Sequence, residues 1–192
     1  AILEDKVIDR IMKSLENLEF ININDYTEEE QPLIKNMHLL CAKPIIYAAN
    51  VSEDDLATSN DYVKKVEEYA SKQNAKVVVI SAQIESELAE LDKEEAKSYL
   101  HDIGVENSGV ERMINAVYDL LGLRTFITAG EKEVRAWTIP QGAKAPQAAG
   151  VIHTDMEKGF IRAEVTAYED FVKCGSYAVA REKGLTRLEG KD

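Results

Sequence analysis

An apolar run from Ile45 to Ala49 ends in Asn50-Val51-Ser52-Glu53, and a second, KVVVI from Lys76 to Ile80, ends in Ser81-Ala82-Gln83. Both runs are continuous rather than alternating, as strands buried on two faces are. In a parallel sheet, ligands bind beyond the carboxyl ends of the strands, so the first loop residues face the ligand. An asparagine amide there donates to a ring nitrogen and braces neighbouring loops. A carboxylate three residues later accepts from ring N–H groups, and a Ser-Ala turn offers a backbone N–H. Together these residue types support recognition of a nucleotide base. Either motif alone is a weak signal, since Asn and Ser are common where strands end. Two of them, on strands separated by one helix, are far more specific.

Guanine-specific sites carry NKxD at this position, in which the aspartate bridges two guanine donors and the lysine stem covers the ring. Here Val51 removes the cation but keeps an apolar cover, and Glu53 is one methylene longer. A short bidentate grip on guanine is displaced, so guanine specificity is expected to be weakened. The phosphate-binding motif GxxxxGK[ST] does not occur, and the first glycine is Gly104. The parts that hold phosphates and magnesium are therefore expected upstream of Ala1. The chain alone is expected not to hydrolyse nucleotides.

The remaining candidates have structural alternatives. His153-Thr154-Asp155 pairs an acid with a base but lacks a nucleophile in sequence, and a turn cluster explains it as well. His38, His101 and His153 share no metal-ligand spacing. Cys41 reads as a small buried hydrophobe on a helix. Trp137 is either core or a partner anchor. Arg135, Lys144, Lys158 and Arg162 form an RNA-facing patch or a solvated face, diluted by Glu133, Glu157 and Glu164.

These groups need elements to position them. Ile2, Leu3, Val7, Ile8, Ile11, Met12, Leu15 and Leu18 mark one face of a helix over Ala1 to Leu18, which starts mid-pattern. A second helix is expected from Glu28 to Cys41, with Thr27 and Glu30 as a capping box and Pro32 early in it. Strand, helix and strand over Ile45–Ala49, Asn60–Lys72 and Lys76–Ile80 make a βαβ unit. Asp92 with Glu95 caps a helix that Gly104 stops, and Val110 to Leu121 is another before Gly122. Eight of the ten glycines lie from Gly122 onward, where the texture changes to that of short strands. Arg124–Thr128, Glu133–Ile139 and Phe160–Thr166 read as strands, with a short helix over Pro146–Ile152.

Net charge is −12 overall, yet residues 124–192 carry 11 Lys and Arg against 10 Asp and Glu. The acidic remainder repels a phosphate backbone or simply keeps the surface soluble, so any RNA contact belongs to the C-terminal third. No apolar run approaches the roughly 20 residues that span a bilayer. Two cysteines 133 residues apart, without a CxxC motif, suit a reducing, cytoplasmic setting.

The chain resembles the Obg-like ATPase (YchF) family of P-loop nucleotide-binding proteins. The likeness rests on KPIIYAANVSEDDL, on VVVISAQIESELAEL, and above all on the run from Phe126 to Phe171. It implies a mixed α/β and α+β architecture in three parts. Residues 1–36 are the end of a helical coiled-coil insert, 37–123 the C-terminal part of a G domain, and 124–192 a β-grasp, ubiquitin-like TGS domain that stops short of its final strands. Asn50, Val51 and Glu53 match the family's base-recognition motif, and Ser81, Ala82 and Gln83 its second base loop. The resemblance further implies ATP in preference to GTP, with Mg2+ held by the full-length protein. It also implies association with the ribosome; charge and residue type place the expected contact, with the large subunit or RNA, near Arg135, Trp137, Lys144 and Arg162. The rival reading is a non-enzymatic module that docks on the ribosome or on a regulator.

Overall fold

The computed structural model describes residues 2–58, 60–130 and 132–191. They form two units, divided between Val117 and Tyr118.

In the first unit, α1 (Ile2–Glu16) turns Val7 and Ile11 into a core with Ile21, Tyr26 and Ile34. The other apolar residues of its expected face, among them Ile2, Met12 and Leu15, stay exposed. Arg10 fastens this helix to the segment that follows. Its guanidinium donates to both oxygens of Glu30 at 3.2 Å and to the Asp25 carbonyl, and it stacks on the Tyr26 ring at 4.1 Å. The helix expected from Glu28 to Cys41 is much shorter: α2 spans Gln31–Asn36. Pro32 sets where it starts, because a proline is tolerated only in a helix's first turn, and the helix ends before His38, whose φ is +52°. Pro32 occupies that turn, so the helix cannot begin three residues earlier. Half of the expected capping box survives as a turn, in which the Thr27 N–H donates to Glu30 at 2.9 Å. Cys41 lies in a separate 3-10 turn, Leu40–Ala42, and packs half-buried against the same core.

The βαβ unit follows. β1 (Ile46–Asn50) and β2 (Lys76–Ile80) pair in parallel, with Ile46 opposite Lys76 and Asn50 opposite Ile80. The Val51 N–H donates to the Ile80 carbonyl at 2.8 Å and carries the ladder one residue into the loop. The crossover helix α3 (Asp61–Lys72) starts at Asn60, whose side chain accepts from the Val63 N–H. Its Val63 and Ala70 are buried, and its Tyr69 meets Tyr47 edge-on at 5.9 Å. A helix not foreseen from the sequence, α4 (Ala82–Leu88), begins as soon as β2 ends and buries Ile84 completely.

Next come α5 (Lys93–Asp102) and α6 (Gly109–Leu120). The Asp92–Glu95 capping box of α5 is complete, and Gly104 follows with a φ of +76°. Gly109 opens α6 against the end of β2. Its N–H donates to Glu85 at 2.5 Å, and a Cβ there would lie 2.9 Å from the Ile80 side chain.

The second unit begins with the hairpin of β3 (Leu123–Ala129) and β4 (Val134–Pro140), in which Phe126 faces Trp137. Two short helices follow, α7 (Ala145–Ile152) and α8 (Thr154–Lys158). β5 covers only Ala163–Thr166 of the strand expected from Phe160, because Phe160 is buried in the turn that closes α8. Beyond it lie α9 (Tyr168–Cys174), α10 (Tyr177–Glu182) and β6 (Thr186–Glu189), none of them read from the sequence. β5 and β6 run antiparallel, with the Thr166 and Thr186 hydroxyls 2.9 Å apart. Among the described residues the two antiparallel pairs form separate two-stranded sheets.

Candidate nucleotide-base site

The parallel pairing brings both strand ends to the same edge of the first unit, as the register of Asn50 against Ile80 requires. There the two loops are tied directly. The Asn50 side-chain oxygen accepts the Ala82 N–H at 2.9 Å. That bond meets one of the orphan donors of the first turn of α4 and uses only the oxygen of the exposed Asn50 amide, leaving its NH2 to donate elsewhere. Ser81 lies beneath it, 1% exposed, and its hydroxyl oxygen is buried with no hydrogen-bond partner among the described residues. A buried polar group of this kind normally has a partner.

Asn50, Val51 and Ser52 also line a concavity of about 420 Å3 with Asp55, Asn60, Tyr62, Val63 and Val66. Its volume lies within the range of small-molecule pockets. Val51 is half-buried there, as an apolar cover for a ring requires.

Glu53 opens a 3-10 turn, Glu53–Asp55, beside that concavity in sequence but not among the residues that line it. Its carboxylate lies 3.4 Å from the Tyr99 hydroxyl of α5. The same hydroxyl is 3.1 Å from Glu87 of α4, and Glu87 in turn accepts from the Gln83 amide at 3.1 Å. Partial burial, then the bond to Glu87, push the Tyr99 phenol above its ordinary value. Four residues of three elements thus meet where the sequence had offered only two motifs. Nothing in the spacing of Tyr99 or Glu87 signalled this.

The second unit holds the four residues proposed for partner contact. Trp137 is half-buried; its indole N–H donates to Thr128 at 2.8 Å, and Arg135 covers its ring at 4.1 Å. Lys144 precedes α7, and its backbone N–H donates to Gln147. Arg162 is exposed on the approach to β5. Among the described residues, no hydrogen bond or ion pair joins Arg135, Lys144 and Arg162 to one another. His153 caps α8 by accepting the Asp155 N–H at 3.2 Å, which is the structural alternative for that cluster. No group of three or more His, Cys, Asp or Glu among the described residues has a geometry that suits a metal ion.

Known proteins carry sequences similar to this one. The ribosome-binding ATPase YchF of Bacillus subtilis is 49% identical over 194 residues, covering all of this chain and 53% of that protein. That of Haemophilus influenzae is 51% identical over 192 residues, with the same coverage. This chain is a homologue of the YchF/Obg-like ATPase family along its full length. The chicken Obg-like ATPase 1 is 41% identical over 172 residues, covering 88% of this chain and 43% of its own. Residues 123–192 match the family model YchF-GTPase_C, described as a protein of unknown function (DUF933). The solved structure of the Schizosaccharomyces pombe YchF GTPase superposes with a TM-score of 0.82 at 34% identity, over 98% of this chain and 51% of that one. The chain thus spans about half the length of the YchF relatives it matches and corresponds to the C-terminal part of the YchF structure. No helix among the described residues is long and apolar enough to cross a membrane.

Proposed function

We propose that this chain supplies the base-recognition loops of a ribosome-associated, cytoplasmic Obg-like ATPase whose phosphate-binding part precedes Ala1. The observation that carries the proposal is the 2.9 Å bond from the Ala82 N–H to Asn50. It makes one rigid platform of the two loops, with the Asn50 amide free to donate to a ring nitrogen. The concavity beside Val51, lined by both apolar and polar side chains, suits a flat, polar-edged ligand. ATP is preferred over GTP because neither a lysine stem nor a short aspartate is present to hold guanine. The described residues do not fit a magnesium site, so no step of hydrolysis is assigned to them. Residues 124–192, as a TGS domain, supply a contact with the large ribosomal subunit through Arg135, Trp137, Lys144 and Arg162.

Calorimetry on the full-length protein tests the first part. ATP binds more tightly than GTP, and Asn50→Ala weakens both. Equal affinity for the two nucleotides overturns the assignment of base choice. Absence of heat with either one returns the chain to the docking-module reading.

A further inference from the structure

We propose that Tyr99 is a positioning residue for base choice, holding Glu53 of the first loop. The inference rests on the reading of Asn50–Glu53 as a base loop, and it adds a residue that lies in neither motif.

The geometry is specific. Tyr99 reaches the site from α5, 46 residues after Glu53, and its hydroxyl stands between two carboxylates, 3.1 Å from Glu87 and 3.4 Å from Glu53. A phenol has one proton to donate, and an ionised carboxylate only accepts. The hydroxyl therefore serves one carboxylate at a time, with the shorter contact to Glu87. Glu87 is also held by the Gln83 amide at 3.1 Å, so its second oxygen has a donor of its own. Glu53 has no side-chain donor other than Tyr99 among the described residues. Without the hydroxyl, two negative groups face each other and Glu53 is free to turn. Glu53 is the residue whose length separates this loop from the guanine pattern, so its orientation bears on which base is accepted. Asn50 ties the first loop to the backbone of the second; Tyr99 sets the direction of the Glu53 side chain.

The test uses the full-length protein and fluorescent ATP and GTP analogues, with Tyr99→Phe, Glu53→Ala and the double variant. Phenylalanine keeps the ring and removes only the hydroxyl. The ratio of ATP to GTP affinity is expected to fall about 3- to 10-fold in Tyr99→Phe, the scale of one hydrogen bond. The same substitution is expected to have no further effect on the ratio in the Glu53→Ala background, because a residue acting through Glu53 has nothing left to act on. A merely structural role would lower both affinities together and leave the ratio unchanged. A changed ratio in Glu53→Ala with none in Tyr99→Phe overturns the positioning role and leaves the base-loop reading standing. A Tyr99→Phe effect that persists undiminished in the double variant overturns it too. If Glu53→Ala leaves the ratio unchanged, this inference falls; if Asn50→Ala, measured alongside, also weakens neither nucleotide, the base-loop reading falls with it. Should Tyr99→Phe fail to fold, Glu87→Ala replaces it: the hydroxyl then serves Glu53 alone, so the ratio holds or rises, and a fall overturns the proposal.

Discussion

The side-chain oxygen of Asn50 accepts the Ala82 N–H at 2.9 Å across 32 residues of chain. One side chain thus joins the end of β1 to the start of α4. The bond uses only the acceptor half of the amide, which separates two roles that substitution can pull apart. Asn50→Asp keeps an acceptor and is expected to leave the thermal midpoint near that of the parent, while losing the donor that a base nitrogen needs. Asn50→Ala loses both and is expected to cost about 0.5–1.5 kcal/mol of stability as well. Denaturation and ATP binding, measured side by side on the full-length protein, separate them. Equal loss of binding and stability in both variants contradicts the division of roles.

Base choice is expected to move with the loop. Val51→Lys combined with Glu53→Asp restores the guanine pattern, and the ATP-to-GTP preference is expected to shift toward GTP by about 1–3 kcal/mol. An unchanged affinity ratio counts against the assignment of these residues.

Gly109 is held close to two neighbours. A methyl group there would meet the Ile80 side chain and the Glu85 carboxylate oxygen, each at 2.9 Å, in a buried position. Alanine normally favours a helix over glycine, yet here overpacking dominates, and Gly109→Ala is expected to destabilise by about 1–3 kcal/mol. A urea midpoint equal to that of the parent refutes the packing argument.

Glu30 links stability to acid. The Thr27 N–H, and then the Arg10 guanidinium, hold its carboxyl below the ordinary value of 4.5 despite the opposing effect of burial. The folded value is depressed, so the contribution is present above the unfolded value near 4.5 and is lost as pH falls through the lower folded value. Glu30→Gln is therefore expected to be less stable than the parent at neutral pH, with the gap closing in acid, below the lowered folded value. Urea titrations at neutral and acid pH check this; a gap of constant size contradicts it.

Ribosome docking is expected to depend on residues 124–192. They are near neutral while the rest of the chain is strongly acidic, and Arg135 and Trp137 are residue types that dominate interface energies. Co-sedimentation of the full-length protein with ribosomes is expected to weaken as salt rises and to drop when the protein is cut near Leu123. Undiminished sedimentation of the cut protein moves the docking face elsewhere.

Local signals carried much of this molecule. KVVVI and the run before Asn50 marked two strands, Asn60 marked the start of α3, and Asp92 with Glu95 formed the capping box on α5, because each signal acts within a few residues of itself. The two loop motifs were legible for the same reason: a strand's end and the residues after it are written consecutively. Proline shows where such signals compete. The apolar pattern over Glu28–Cys41 reads as one helix, and the position of Pro32 within it decides where a helix can begin. The contacts that join the two loops depended on the path of the chain. Asn50 meets Ala82, and Tyr99 meets Glu53 and Glu87, only because parallel pairing and the packing of α4, α5 and α6 bring distant residues within hydrogen-bonding reach. A hydrogen bond is decided by tenths of an ångström, and periodicity along a chain carries no distance between residues 32 or 46 positions apart.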